Sequence, residues 1–141
     1  MLPDSIAKRD LLWAKHKTPP DYGGIGEEFL KAGCLSDALE FFARAADRLK
    51  VGEVLKASLR EGDASVVARI GAVMPDLVTA EVWKTCALEA ERLEKWSFAR
   101  AAWLKAGDAA KAGAAQEKVL KALGYTVAKA PPHEGSAEGN R

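Results

Sequence analysis

Two stretches of the sequence decide the fold: YGGIGEEFLKAGCLSDALEFFARA, residues 22–45, and WKTCALEAERLEKWSFARAAWLKA, residues 83–106. The second follows the first by 61 residues and keeps the same physical type of residue at every compared position except Phe29/Ala90. Large side chains fill the groove between two helices, and small ones let the backbones approach, so this spacing predicts one antiparallel helix pair formed twice. The compared pairs are Tyr22/Trp83, Ile25/Cys86, Gly26/Ala87, Phe29/Ala90, Leu35/Trp96, Ser36/Ser97, Ala38/Ala99, Phe42/Trp103 and Ala45/Ala106.

The composition predicts an all-α protein. Alanine occurs 27 times and leucine 15 times, whereas valine, isoleucine and threonine together occur 16 times and never alternate. Alanine and leucine favour helices, while sheets favour β-branched and aromatic residues. Glycines and prolines interrupt the chain often enough to give about eight helices. We therefore expect one helical domain over residues 1–123, made of an N-terminal helix, about three helix pairs and a final capping helix. A flexible tail is expected over residues 124–141, which lacks any apolar period.

Residues able to cap a helix indicate where the helices begin. We expect the first helix to run from residue 5 to residue 16, with Ile6 and Trp13 on its inner side. The last turn of a helix often carries glycine, and proline often follows, which predicts helix ends near Gly33, Gly62 and Pro75. The expected capping residues are Asp4 or Ser5, Ser36, Asp47, Asp63, Thr79, Ser97 and Asp108.

The two matched stretches resemble the tetratricopeptide-type (TPR) helical repeat. Each has an aromatic residue, then a small residue, a turn, and then the order alanine, aromatic, alanine. Gly33 stands at the turn of the first unit, and Glu94 replaces that glycine in the second. A shortened unit over residues 51–74 would lie between them, with Gly62 aligned on Gly33. The resemblance covers roughly residues 20–107 and implies a right-handed superhelix of αα-hairpins.

Such a superhelix offers extended surface for a partner. The first helix of each hairpin lines the concave side, and this predicts a non-catalytic adaptor or scaffold that binds a peptide or a helix. Cations outnumber acids among the candidate contact residues, so we expect a partner with acidic side chains and a few apolar anchors. The candidates are Glu27, Leu30, Lys31, Lys56, Leu59, Arg60, Lys84, Leu88, Glu91 and Arg92.

The sequence offers little for catalysis or for a cofactor. Neither His16 nor His133 has a carboxylate or a cysteine at ligand spacing, so we expect no metal, no cofactor and no enzymatic activity. Cys86 falls where the repeat needs a small core residue, whereas Cys34 follows a turn and is exposed if that turn faces solvent. Trp83, Trp96 and Trp103 are expected in the core, while Trp13 is expected to cover an open end or to bind a partner.

Charge and hydropathy limit the possible partners further. The net charge is +1 and the basic residues around the first helix are interrupted by acids, so nucleic-acid binding is not expected. No apolar run is long enough to cross a membrane, and two cysteines 52 residues apart fit a reducing cytoplasm. The alternative function is a self-associating structural subunit, a homodimer through the end faces of the superhelix. An enzyme with an unrecognised site is a third hypothesis.

Overall fold

The protein is all-helical over the residues that its computed structural model describes, 2–16 and 18–125. Within these ranges there are eight α-helices, one short 3₁₀ turn over Pro75–Leu77 and no strand. The expectation of an all-α chain with about eight helices is confirmed, while most of the predicted tail, residues 126–141, lies outside the described residues. The helices are α1 (Ser5–Trp13), α2 (Tyr22–Lys31), α3 (Leu35–Arg44), α4 (Arg48–Arg60), α5 (Ala64–Val73), α6 (Ala80–Arg92), α7 (Trp96–Ala106) and α8 (Ala109–Ala122).

Most helices begin at a side chain that accepts a hydrogen bond from a free backbone amide. Asp4 accepts from Ala7, and Asp47, Asp63, Thr79 and Asp108 cap their helices in the same way, as the sequence predicts. Asp21 caps α2, which the sequence analysis did not anticipate.

The predicted serine caps are wrong. The residues that precede α3 and α7 are Cys34 and Lys95, and neither provides a side-chain cap. Ser36 and Ser97 each lie one residue inside their helix.

The same tight turn ends six helices of the described residues, α2, α3, α4, α6, α7 and α8. A residue of positive φ stands in each: Gly33, Ala46, Gly62, Glu94, Gly107 and Gly124. In each turn this residue donates its N–H to the carbonyl three residues back, and the next residue donates to the carbonyl five back. The turns of the two matched stretches are therefore the same, and Gly62 stands in that turn in the middle unit, where the sequence places it.

Helices pack mainly against close neighbours in the sequence. Consecutive helices from α2 to α8 are in contact, and α3 with α5, α4 with α6 and α5 with α7 also meet. Among the odd-numbered helices α3, α5 and α7 form a continuous row, and among the even-numbered helices α4 and α6 are adjacent.

Close approach between the helices of each pair occurs where the sequence places small residues. A Cβ on Gly26 would lie 2.6 Å from the ring of Phe42, and Ala38, Ala87 and Ala99 have no exposed surface. Phe42 is fully buried and Trp103 is 2% exposed, so the large residue of each pair lies between the helices as expected. Ala45, in contrast, is exposed and receives no further helix.

Helix α1 packs on the outer side of α3 by few contacts. Leu12 is buried, Lys8 pairs with Asp37 and Glu40, and a guanidinium nitrogen of Arg44 donates to the carbonyl of Leu12. Burial lowers the pKa of Lys8, but the hydrogen bonds to the two carboxylates outweigh it and the net pKa is raised.

The predicted bounds and inner face of α1 are wrong. The helix ends at Trp13 rather than at His16, because Ala14 turns to extended backbone. Ile6 and Trp13 are 64% and 71% exposed, and Leu12 is the residue that faces the core.

Candidate partner-binding surface

An open cleft lies between α4 and the turn that joins α2 to α3. Leu30, Gly33 and Leu35 line one side of it, and Lys56 and Arg60 line the other. The cleft has a volume of about 460 Å³. Of the ten candidate residues, the structure thus brings Leu30, Lys56 and Arg60 together around one cavity.

The two cations of this cleft are available to a partner. Lys56 and Arg60 are exposed and occupy one face of α4, because they lie four residues apart. Neither forms an ion pair within residues 2–16 and 18–125. Lys31, in the last turn of α2, is exposed in the same way.

The candidates on α6 form a second group. Leu88 is 56% exposed, while Lys84 pairs with Glu81 at 3.2 Å and Arg92 pairs with Glu89 at 2.7 Å. Both pairs join residues three apart on an exposed helix surface, where water screens the charges and an ion pair contributes little to stability. A carboxylate from a partner can therefore replace these contacts at little cost.

Both acidic candidates are occupied by contacts within the protein. Glu27 forms an ion pair with Lys50 of α4, and Lys50 also pairs with Glu53 at 2.9 Å. Hydrogen bonds to these two carboxylates raise the pKa of Lys50. Glu91 accepts a hydrogen bond from the indole N–H of Trp103 at 2.8 Å.

Leu59 is the remaining candidate. It is half-buried and packs against the core. Because both acidic candidates, Glu27 and Glu91, are half-buried and have partners within the protein, the exposed charges of the candidate set are all positive.

Sequence reasoning missed two acidic residues at the cleft, Glu53 and Glu61. Glu53 precedes Lys56 by three residues, and this spacing, which places both side chains on one side of a helix, could have indicated that Glu53 lies beside Lys56. Nothing local to Glu61 indicates that the end of α4 reaches the cleft, because its position depends on how the hairpins pack.

A second cleft lies between α1, α3 and α5. It has a volume of about 360 Å³ and is lined mainly by apolar side chains, among them Leu12, Leu39, Ala43 and Val73. Trp13 stands at its edge with the guanidinium of Arg44 4.3 Å from the ring centre. This pair gives Trp13 a stacking partner within its own chain.

The structure shows the surroundings of both cysteines and of His16. Burial, with a smaller contribution from the charge of Asp63, raises the pKa of the Cys86 thiol to about 11. Cys34 is half-buried at the start of α3. His16 is exposed, with its Nε2 atom 3.0 Å from the carbonyl oxygen of Asp10. Within the described residues no three histidine, cysteine or acidic side chains are grouped closely enough to hold a metal ion.

Comparison with family models, with curated proteins and with solved structures gives no match to this chain. No helix in the described ranges is both long and apolar enough to cross a membrane. Inference about function therefore rests on the geometry and charge of the surfaces described above.

Proposed function

We propose that the protein is a non-catalytic interaction module, built as a TPR-like superhelix, which binds a peptide or a helix of a partner along α2, α4 and α6. The order of helix contacts and the repeated turn support the superhelix. The cleft that joins Leu30 to Lys56 and Arg60 carries the functional part of the proposal, since it combines an apolar side chain with two exposed cations.

The charge of this surface specifies the partner. Lys31, Lys56 and Arg60 form no ion pair among the described residues, and Lys84 and Arg92 have only weak partners on their own helix. An acidic segment gains from these five cations, and Glu61, an exposed acid at the cleft, offsets only part of that gain. Leu30 and the exposed Leu88 would receive apolar anchors of the same segment.

A charge-reversal experiment tests the proposal. The wild-type protein and the double variant Lys56→Glu, Arg60→Glu are immobilised, and the proteins they retain from a lysate of the native host are quantified. We expect at least one acidic partner to be retained by the wild type and lost from the variant, because two attractive contacts become repulsive.

The matched control reverses two cations that lie away from the cleft. Arg9 and Lys15 are both exposed, on α1 and just after it, so Arg9→Glu, Lys15→Glu produces the same change of net charge. If the control variant loses the same partners, general electrostatic attraction explains the binding and the proposed surface is wrong.

Light scattering of the free protein tests the alternative of self-association, since a stable dimer would favour that function.

A further inference from the structure

The last helix, α8, has the position of a first helix of a hairpin. Asp108 caps it as Asp47 caps α4, 61 residues earlier. It ends at Gly124 in the same turn that ends α2, α3, α4, α6 and α7, and each of those five turns leads directly into another helix. Within the described residues no helix follows α8.

The surface that a second helix would cover is partly bare. In α4, which is followed by α5, Leu55 is 9% exposed and Ser58 is fully buried. The residues 61 positions later in α8 are Gln116 and Val119, and both are only half-buried. Leu123, in the turn that ends α8, is 68% exposed.

The adjoining part of α7 is open as well. A cavity of about 460 Å³ lies between the start of α7 and the end of α8. Its lining includes Trp96, Phe98, Val119 and Leu123. We call the surface formed by these four residues the open end face.

Residues 126–141 lie outside the described residues, and their sequence places two prolines where an equivalent second helix would run. The second helices α3, α5 and α7 have 10, 10 and 11 residues, and each begins two residues after the positive-φ residue of its turn. An equivalent helix would begin at Thr126 and would meet Pro131 and Pro132 in its second turn. Proline inside a helix removes a hydrogen bond and clashes with the preceding turn.

The charges around the open end face distinguish between two candidates for covering it, a second copy of the chain and a different protein. Glu94 and Lys95 both line the cavity, and the Lys95 ammonium donates a hydrogen bond to the carbonyl of Glu61 at 2.7 Å. The Lys118 ammonium lies 5.4 Å from the ring centre of Trp96, and Arg100, Lys121 and Glu117 are exposed on the same two helices. Together these residues carry four positive and two negative charges, so cations are in excess. A second copy would present the same excess of cations if it used the same face, which disfavours that pairing.

We propose that the open end face binds an amphipathic helix of a different protein, about ten residues long, with an apolar stripe and acidic residues beside it. This helix takes the place of a second helix after α8 and packs on α7 and α8 as α5 packs on α3 and α4. The proposal is independent of the cleft between α4 and the turn that joins α2 to α3, because it uses other residues at the other end of the stack.

The test uses two synthetic helical peptides of equal length and equal leucine content. One carries glutamates beside the leucine stripe and the other carries lysines at the same positions. Each is labelled and titrated with the full chain, and binding is followed by fluorescence anisotropy. We expect the acidic peptide to bind and the basic peptide to bind at least about tenfold more weakly.

Two matched variants locate the binding. Leu123→Glu places an acid on the apolar surface, where it removes apolar contact and repels the glutamates of the acidic peptide, so we expect binding to weaken about tenfold or more. Leu49→Glu makes the same change at a leucine that is 84% exposed on α4, and its binding should equal that of the wild type. Circular dichroism confirms that both variants fold, which is expected because both leucines are largely exposed.

Four results would overturn the proposal. Absence of binding by the acidic peptide is one, and equal loss in the Leu123 and Leu49 variants is another. Self-association that Leu123→Glu abolishes would assign the face to a second copy. Tighter peptide binding after removal of residues 126–141 would assign it to the protein's own tail. The variants Lys56→Glu and Arg60→Glu change the cleft but not the open end face, so peptide binding at the end face should stay within about twofold, apart from the effect of the altered net charge. The experiment on the end face can therefore fail while the proposed function of the cleft holds, and the reverse.

Discussion

Gly62 and Gly33 occupy the same position in two turns of the same kind, yet their replacement by alanine should change the stability by very different amounts. Both have positive φ, +61° and +79°. A Cβ on Gly62 would lie 2.6 Å from both the Cα and the backbone nitrogen of Ala90, in the last turn of α6. A Cβ on Gly33 would meet no atom within 4 Å. Comparison of the two alanine variants therefore separates two costs in stability: that of positive φ at the turn, and that of the close approach of α4 to the backbone of α6.

The expected magnitudes follow from these contacts. A left-handed conformation costs an alanine about 1–2 kcal/mol, and the lower entropy of the unfolded chain offsets about 0.4–1 kcal/mol of this in both variants. Gly33→Ala should thus lower the free energy of unfolding by about 1 kcal/mol. Gly62→Ala adds overpacking against a helix backbone that cannot rotate away, which costs about 1–3 kcal/mol more.

Urea denaturation followed by far-ultraviolet circular dichroism measures both changes. The slope of the free energy against urea should stay constant, so that the shift in midpoint reports stability. Gly113→Ala is the control, because Gly113 lies inside α8 with nothing near its Cβ position and alanine should stabilise that helix by about 0.5–1 kcal/mol. Equal losses for Gly33→Ala and Gly62→Ala would refute the close approach of α4 and α6.

Three further predictions concern single residues. Glu94→Gly should raise the free energy of unfolding by about 0.5–1 kcal/mol, because Glu94 holds a φ of +58° that glycine adopts without strain; an unchanged melting midpoint would contradict this. Trp103→Ala should cost about 3–5 kcal/mol in a denaturant titration, since its ring is buried and its N–H bonds to Glu91; a loss below about 1 kcal/mol would exclude that role. With a thiol reagent at about pH 8, Cys34 should react much faster than Cys86, whose pKa is about 11, and Cys86 should react fully only after unfolding; equal rates would contradict its burial.

The sequence predicts the features of this fold that are local. An aspartate caps a helix through an amide only two or three residues away, and a turn needs one residue of positive φ, so Asp47, Asp63, Asp108, Gly33 and Gly62 identify element boundaries correctly. The match between the two stretches also locates the close approach of Gly26 to Phe42.

Features that depend on contacts between distant residues were not predictable in the same way. Ser36 and Ser97 are good capping residues, but the preceding turns fix the helix starts one residue before them. The inner side of α1 is set by where α3 lies, so Leu12 rather than Trp13 is buried. At the candidate surface, the internal partners of Glu27 and Glu91 lie on other helices, and periodicity within one helix does not reveal them.

The pattern of helix contacts also determines how the chain can fold. Every pair of α-helices with more than marginal contact is separated by no more than one other α-helix. Short loops therefore suffice to close most native contacts, and chains of this kind fold within microseconds to milliseconds. A folding nucleus can form in either matched hairpin and extend toward the other, so removal of one hairpin's buried aromatic residue should shift the folding route rather than abolish folding.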